Sequence, residues 1–332
     1  MSKSRKRALF KVGAIAVLLT FVVLFSLMAG SQDKGTSEQQ HDSKAARLER
    51  QAKILKQIEQ MRAEIKANGW DYTVGPNPAM QYSLEKLGGF NPDLKPDFSM
   101  AIEPGESENE LEVLGKIPTL PSSYLGYYTG IKDQQHDLCG SCWAFATIGN
   151  LEAAIKRITG TDYDLSEQHL VSCNPWNWGC DGGGFAYDFL MPPYSQGAIP
   201  EECFRYAAAE VPCIYCGNHP WFPVAQWGFL AKGKTIPSVA TIKNAIYKYG
   251  SVSTSLWIDN LFRAYTGGVF TTNMVGPIIG HAAILCGWDD SKQAWRLKNS
   301  WGTNWGEAGF MWIKYGCPNQ VGKGASWVIP LL

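Results

Sequence analysis

The stretch Leu138-Cys139-Gly140-Ser141-Cys142-Trp143-Ala144-Phe145-Ala146 decides the reading of this chain. It sets two cysteines three positions apart, separated by Gly-Ser, and the second opens a long apolar run. A cysteine at the first turn of a buried helix lies where unpaired backbone N–H groups and the helix dipole favour an anion. That setting lowers a thiol's pKa and makes it nucleophilic near neutral pH. Spacing by itself leaves other uses open: half a zinc site, a redox pair, or a disulfide cysteine beside a buried one. A nucleophilic thiolate needs a base, a group that orients the base, and donors for an oxyanion.

The rest of the chain supplies candidates for each. Gly280-His281-Ala282-Ala283 places His281 139 positions after Cys142. Lys298-Asn299-Ser300-Trp301-Gly302-Thr303-Asn304-Trp305-Gly306-Glu307 places Asn299 157 positions after it. Cys-Gly-Ser-Cys-Trp, followed by that His and that Asn in that order, resembles the papain-like cysteine peptidases, whose signature the five residues carry. The resemblance spans residues 120–325 and extends, through fewer motif residues, over 45–95.

It implies an α+β fold of two subdomains with a cleft between them. A helical half would hold Cys142, and a β-barrel-like half would hold His281 and Asn299. His281 would take the Cys142 proton to give a thiolate–imidazolium pair, and Asn299 would accept the other imidazole N–H. Trp301 would shield that hydrogen bond, and is grouped with Gly182, Gly183 and Ala282 as substrate-binding. The two glycines would offer backbone groups to an extended peptide, and Ala282 would line the S2 pocket. Tyr128-Thr129-Gly130-Ile131-Lys132-Asp133-Gln134 matches the segment that carries the oxyanion-hole glutamine. The family has two residues between that glutamine and the first cysteine; here four follow Gln134 and three follow Gln135. Gln134 fits the preceding residues and is the assignment, with Gln135 as the alternative. His136 and Asp137 read as solvated loop residues.

The chain has nine cysteines, and an odd count in an exported protein implies a free thiol, for which Cys142 is the candidate. The resemblance implies pairing of Cys139 with Cys180, in Gly179-Cys180-Asp181-Gly182-Gly183. It pairs Cys173 with Cys213 or Cys216 and gives Cys203 the other. Cys286 and Cys317 are left over, Cys286 as a buried strand residue. Cys213-Ile214-Tyr215-Cys216 has zinc-like spacing but no second ligand pair. No metal and no cofactor is expected.

At 332 residues with a formal net charge of zero, the chain gives no sign of a nucleic-acid partner. Lys3, Arg5, Lys6 and Arg7 precede an uncharged eighteen-residue run, Val12 to Ala29. Residues 1–30 therefore read as a signal peptide or an uncleaved signal anchor, with the basic end cytoplasmic and the remainder exported. The destination is a secreted, periplasmic or lysosome-like compartment, with the membrane as a partner if the segment is kept. Ile54, Ile58, Met61 and Ile65 recur at helical spacing until Gly69, predicting an amphipathic helix. A strand-like turn at 70–77 and a short helix at 82–88 follow. This order resembles a shortened prosegment, so 31–116 is assigned as prosegment and linker and 117–332 as the peptidase domain; a spacer or coiled stalk is the other reading of 31–116. The prosegment helix would pack on the domain, with the chain beyond it blocking the cleft. Asp97 to Glu112 is acidic and reads as a cleavable linker.

Within the domain, the Cys142 helix is predicted to run to about Arg157, with Ser166 capping a short helix and Phe185–Leu190 forming another. A helix over Ser238–Tyr249 buries Ile242, Ile246 and Tyr249. Strands are predicted over His281–Cys286, Ala294–Lys298 and Phe310–Lys314. The resulting reading is an exported cysteine-type endopeptidase, made as a zymogen, that hydrolyses peptide bonds through an acyl-enzyme. Its partners are peptide or protein substrates and its own prosegment as inhibitor. Two alternatives stay open: a dipeptide-trimming exopeptidase using a loop at Pro212–Pro220 with His219, and an acyltransferase or binding protein on the same fold.

Overall fold

The structure, a computed structural model, describes residues 44–91, 94, 99–102, 119–134, 139–214, 216–274 and 279–332. The apolar run at 12–29, Gln135 to Leu138, the expected domain start at Ile117 and most of the acidic linker lie outside the described residues. Among the described residues, no helix is long and apolar enough to cross a membrane.

Two compact units are distinguished, residues 1–55 and 56–332. Of the first, the described part is the start of helix α1 (Lys44–Asn68), where Leu48 and Leu55 are exposed. In the second, α1 buries Ile58, Met61 and Ile65, the face its three-and-four spacing predicts. Gly69, at φ +63°, ends the helix as a left-handed cap. The chain then forms strand β1 (Tyr72–Val74) and short helix α2 (Leu84–Leu87). Arg62 Nη2 donates to the Val74 carbonyl at 3.1 Å and ties helix to strand.

The helical half is built on α3 (Cys142–Thr159), buried on nearly all sides and closed by Gly160 at φ +71°. Helix α4 (Glu167–Cys173) starts where predicted: Ser166 Oγ accepts the His169 N–H at 3.0 Å. Trp143, Ile148, Leu151, Ile155, Leu165 and Leu170 form the core between them. The helix predicted over Phe185–Leu190 is only a 3-10 turn, Asp188–Leu190. Tertiary partners claim its backbone first: the Ala186 N–H donates to Thr147 Oγ1 at 3.2 Å. Pro192 and Pro193 then prevent continuation.

The other half is a nine-stranded sheet containing β2 (Ser123–Leu125), β3 (Val224–Phe229), β4 (Val252–Ile258), β5 (Tyr265–Phe270), β6 (Ile279–Asp289), β7 (Ala294–Lys298), β8 (Phe310–Lys314) and β9 (Lys323–Pro330). Its order is β1-β5-β8-β7-β6-β4-β9-β3, with β2 added to β6; among the described strands only β5 and β8 run parallel. Strands β7 and β8 have the predicted bounds, whereas β6 extends past both predicted ends because β4 pairs with its first part and β7 and β2 with its last. Helix α5 (Val239–Tyr249), capped by Ser238, buries Ile242 and Ile246, while Tyr249 is half-buried and stacks on Trp327. Helix α6 (Asn260–Ala264) joins β4 to β5. Helix α3 packs against β6 and β9, so its first residue meets the start of β6.

Three disulfides join Cys139 to Cys180, Cys173 to Cys213 and Cys203 to Cys216. The open choice for Cys173 is thereby settled, and Cys213 and Cys216 have no thiolate to offer zinc. Cys142 is not the sole free thiol: Cys286 and Cys317 are also unpaired and buried.

Candidate active site

Cys142 is the first residue of α3 and fully buried. The loop before it is pinned by the Cys139–Cys180 bridge and by the Gly140 N–H donating to the Cys180 carbonyl at 2.8 Å. Trp143 anchors the first turn through its indole N–H to the Gly179 carbonyl, 3.1 Å. The Cys142 sulfur lies beside the backbone N–H groups of Ala282 and Phe90 as well as those of its own turn.

His281 stands on β6 in register with Leu256, and Asn299 follows the end of β7. Their contact is His281 Nε2 to Asn299 Oδ1, 2.8 Å. The same Oδ1 accepts the Ser300 N–H at 2.9 Å, which identifies it as the amide oxygen. The imidazole therefore donates from Nε2, and in the neutral ring Nδ1 carries the lone pair. Nδ1 is buried and makes no hydrogen bond of ordinary geometry among the described residues, with the Leu87 backbone beside it. Trp301 is 1% exposed, with its ring 4.9 Å from the imidazole, and Phe262 and Trp305 pack behind it. Trp301 thus covers the His281–Asn299 pair and is closed off from any ligand in this state.

Gln134 is fully buried. Its Oε1 accepts the Ser300 hydroxyl at 2.6 Å, so Nε2 points away, toward the Leu87 and Cys139 carbonyls, each at 3.5 Å. Gln135, the alternative, lies outside the described residues together with His136 and Asp137.

The chain after α2 crosses this site. Gly89 and Phe90 donate their N–H groups to the Gly280 carbonyl at 3.1 and 3.2 Å. On the other side, the Asn91 N–H donates to the Gly183 carbonyl at 3.0 Å and the Gly183 N–H to the Gly89 carbonyl at 2.9 Å. Residues 89–91 are thereby held between the two halves in a short parallel bridge. Glycine is required on both strands: a Cβ on Gly89, at φ +125°, would stand 1.9 Å from the Gly140 carbonyl oxygen, and one on Gly280 would stand 2.1 Å from that of Phe90. Phe90 packs on Phe185 with ring centroids 4.8 Å apart and joins the core that holds Cys142 and Ala282. Gly183 lends its backbone to the chain's own residues 89–91. Gly182 does not; its N–H closes a turn onto the Gly179 carbonyl. Ala282 is 1% exposed and lines a small pocket with Phe145, Ala146 and Lys298.

Burial opposes the expected charge state. Desolvation pushes the Cys142 thiol up to about 12, against the backbone N–H groups that favour the thiolate. Desolvation likewise holds the His281 imidazole down at about 4, against the Asn299 bond and the Leu87 backbone. With residues 87–91 over the site, burial favours the thiol and the neutral imidazole over the thiolate and imidazolium.

An ion cluster behind α3, buried at Glu152 and Glu167 and open at Asp164, leaves no trace in the sequence pattern. Lys132 Nζ meets Glu152 at 2.8 Å, Asp164 at 2.8 Å and Glu167 at 2.9 Å. Burial works against its charge, but the three carboxylates hold its pKa well above the ordinary lysine value. Lys132 sits two residues before Gln134, so the cluster fixes the segment that presents the amide. A lysine in a loop and one glutamate in an apolar helix give no periodic signal. His219 contacts Pro220 and Trp221, and neither belongs to the site. Among the described residues no group of acidic, His and Cys side chains is placed to hold a metal.

Comparison with known proteins adds an independent line. Residues 123–331 match the model of the papain family cysteine protease. The chain is 29% identical over 279 residues to the oryzain gamma chain of Oryza sativa subsp. japonica, covering 82% of this chain and 75% of that one. It is 34% identical over 192 residues to cathepsin K of Gallus gallus, covering 56% of this chain and 55% of the relative. Among solved structures, it is similar to a digestive procathepsin L2 proteinase from Tenebrio molitor larval midgut, with a TM-score of 0.70, 25% identity and coverage of 85% and 90%. A recombinant stem bromelain precursor shares the fold at a TM-score of 0.67 and 22% identity, covering 88% of this chain and 94% of that one.

Proposed function

Because the chain belongs to the papain family of cysteine proteases and is a cysteine-type peptidase, we propose that Cys142, His281 and Asn299 are its catalytic triad and that the chain is an endopeptidase zymogen. The observation that carries this is the His281 Nε2–Asn299 Oδ1 bond, which leaves Nδ1 as the free base. Nδ1 takes the Cys142 proton, and the thiolate attacks a peptide carbonyl carbon to form a C–S bond. The oxyanion is met by the Cys142 backbone N–H and by Gln134 Nε2, already turned toward a carbonyl by Ser300. The C–N bond breaks as the imidazolium protonates the departing amine, and water, deprotonated by His281, releases the acyl group.

Residues 31–116 act as the prosegment and 117–332 as the peptidase domain. The crossing of residues 87–91 between Gly183 and Gly280 supports this division, because a chain in that place excludes substrate. The relatives named as procathepsin and precursor agree with it. Three disulfides favour an oxidising compartment outside the cytoplasm, with residues 12–29 as export signal or anchor. Internal cleavage fits better than dipeptide trimming, since His219 is engaged away from the site. A thiol-reactive epoxide tests the assignment. It is expected to label Cys142 only after residues 31–116 are removed, leaving Cys286 and Cys317 unmodified. Labelling of another cysteine, or turnover of a substrate with both ends blocked that survives Cys142→Ala, would overturn it.

A further inference from the structure

Strand β3 is the edge of the sheet, so one row of its backbone groups has no partner strand. Part of that row is occupied by a piece of the chain itself. The Ile102 N–H donates to the Trp227 carbonyl at 2.9 Å, and Ile102 forms a parallel bridge with Gly228. Two residues earlier, the Met100 N–H donates to Asp188 Oδ1 at 2.9 Å. The same oxygen accepts the Trp227 indole N–H at 2.7 Å. Asp188 is 0% exposed, so one buried carboxylate is spent on a backbone N–H from residues 99–102. Gly228 shows the same fit: a Cβ there would stand 2.6 Å from the Ile102 carbonyl oxygen. Met100 and Ala101 lie against the apolar cluster that includes Trp227 and Tyr187.

These features are separate from the residues proposed for catalysis. They recognise backbone rather than side chains, because the contacts are two N–H groups at alternate positions and a close carbonyl approach. We propose that Asp188, Trp227 and Gly228 form a second peptide-binding site, an edge-strand dock for an extended peptide with free N–H groups at two positions two apart. Its occupant is this chain's own segment around residues 99–102, held within the intact chain and able to bind in trans as a separate peptide. The dock gives the N-terminal segment a hold on the domain that is independent of the crossing at residues 89–91. It needs no catalysis and stands or falls apart from the peptidase assignment.

The test uses the full chain carrying Cys142→Ala, with Met100→Pro and Ile102→Pro added to remove both donors and vacate the edge. A fluorescent peptide of residues 97–104 is offered in trans and its anisotropy followed. Saturable binding is expected to the proline variant, at least about tenfold weaker to the chain with its own Met100 and Ile102, and at least about tenfold weaker for a peptide N-methylated at both positions. An Ile102→Ala chain, which keeps the N–H, is expected to behave like the self-occupied chain. Absence of saturable binding to the folded proline variant, or equal binding of the N-methylated peptide, would overturn the proposal.

Discussion

At the residue scale, the site is governed by desolvation. The helix N-terminus and four backbone N–H groups favour a Cys142 thiolate, yet burial outweighs them. The pH dependence follows with a definite sign. An imidazole held at about 4 binds its proton less readily in the closed state than when hydrated. Its contribution to closure is therefore complete above the ordinary histidine pKa of about 6.5. It is lost as pH falls from there toward 4. In the Cys142→Ala full chain, susceptibility of residues 87–91 to an added protease is expected to rise between pH 6.5 and 4. The rise should shrink in His281→Phe; a flat profile would contradict it. Asn299→Ala is expected to lower kcat roughly a hundredfold with a smaller change in KM, because the ring loses its orienting acceptor. Equal loss in both would point to a damaged fold instead.

At the element scale, much was legible and the reasons are specific. Cys142, His281 and Asn299 were legible as candidates because the chemistry restricts their types and the motifs fix their surroundings. Ser166 and Ser238 announce their helices through a hydroxyl that caps an N–H, a local signal. Strands β7 and β8 were bounded correctly because alternation and turns agree there. The path of residues 87–91 was not legible in detail, because glycine and backbone groups make it and leave no side-chain pattern. Phe185–Leu190 misled for the opposite reason: its apolar spacing suits a helix, while Thr147 and the two prolines forbid one. The crossing yields its own prediction. Gly89→Val, which places a branched side chain at φ +125° against the Gly140 carbonyl, should loosen self-inhibition by at least about tenfold. The activity of the uncleaved chain measures this, and the cleaved enzyme should be unchanged.

At the scale of residues 56–332, two halves are joined by packing, while the disulfides pin loops within the helical half. Helix α3 against β6 and β9 brings Cys142 to the strand that carries His281. The Cys139–Cys180 bridge closes 41 residues and holds the loops on either side of Cys142. Replacing both cysteines by alanine should cost about 4 kcal/mol of unfolding free energy on the chain-entropy model, measured by urea denaturation of the Cys142→Ala chain. A loss below about 1 kcal/mol would mean that packing alone holds those loops. Charge is buried at this scale as well: Lys132 with Glu152 and Glu167 lies beneath the site, and a hydropathy reading has no means of pairing residues so far apart in sequence.

The central claim is that Cys142 performs peptide hydrolysis once the N-terminal segment leaves the site. Its most direct test follows cleavage of a blocked dipeptidyl fluorophore by the full chain during incubation at mildly acidic pH, beside Cys142→Ala. Turnover is expected to emerge as the chain shortens to about residue 117, and to be absent from the variant even after the same shortening by an added protease that is then inactivated. A shortened, folded protein with Cys142 intact and no turnover, or equal turnover from the variant, would contradict it.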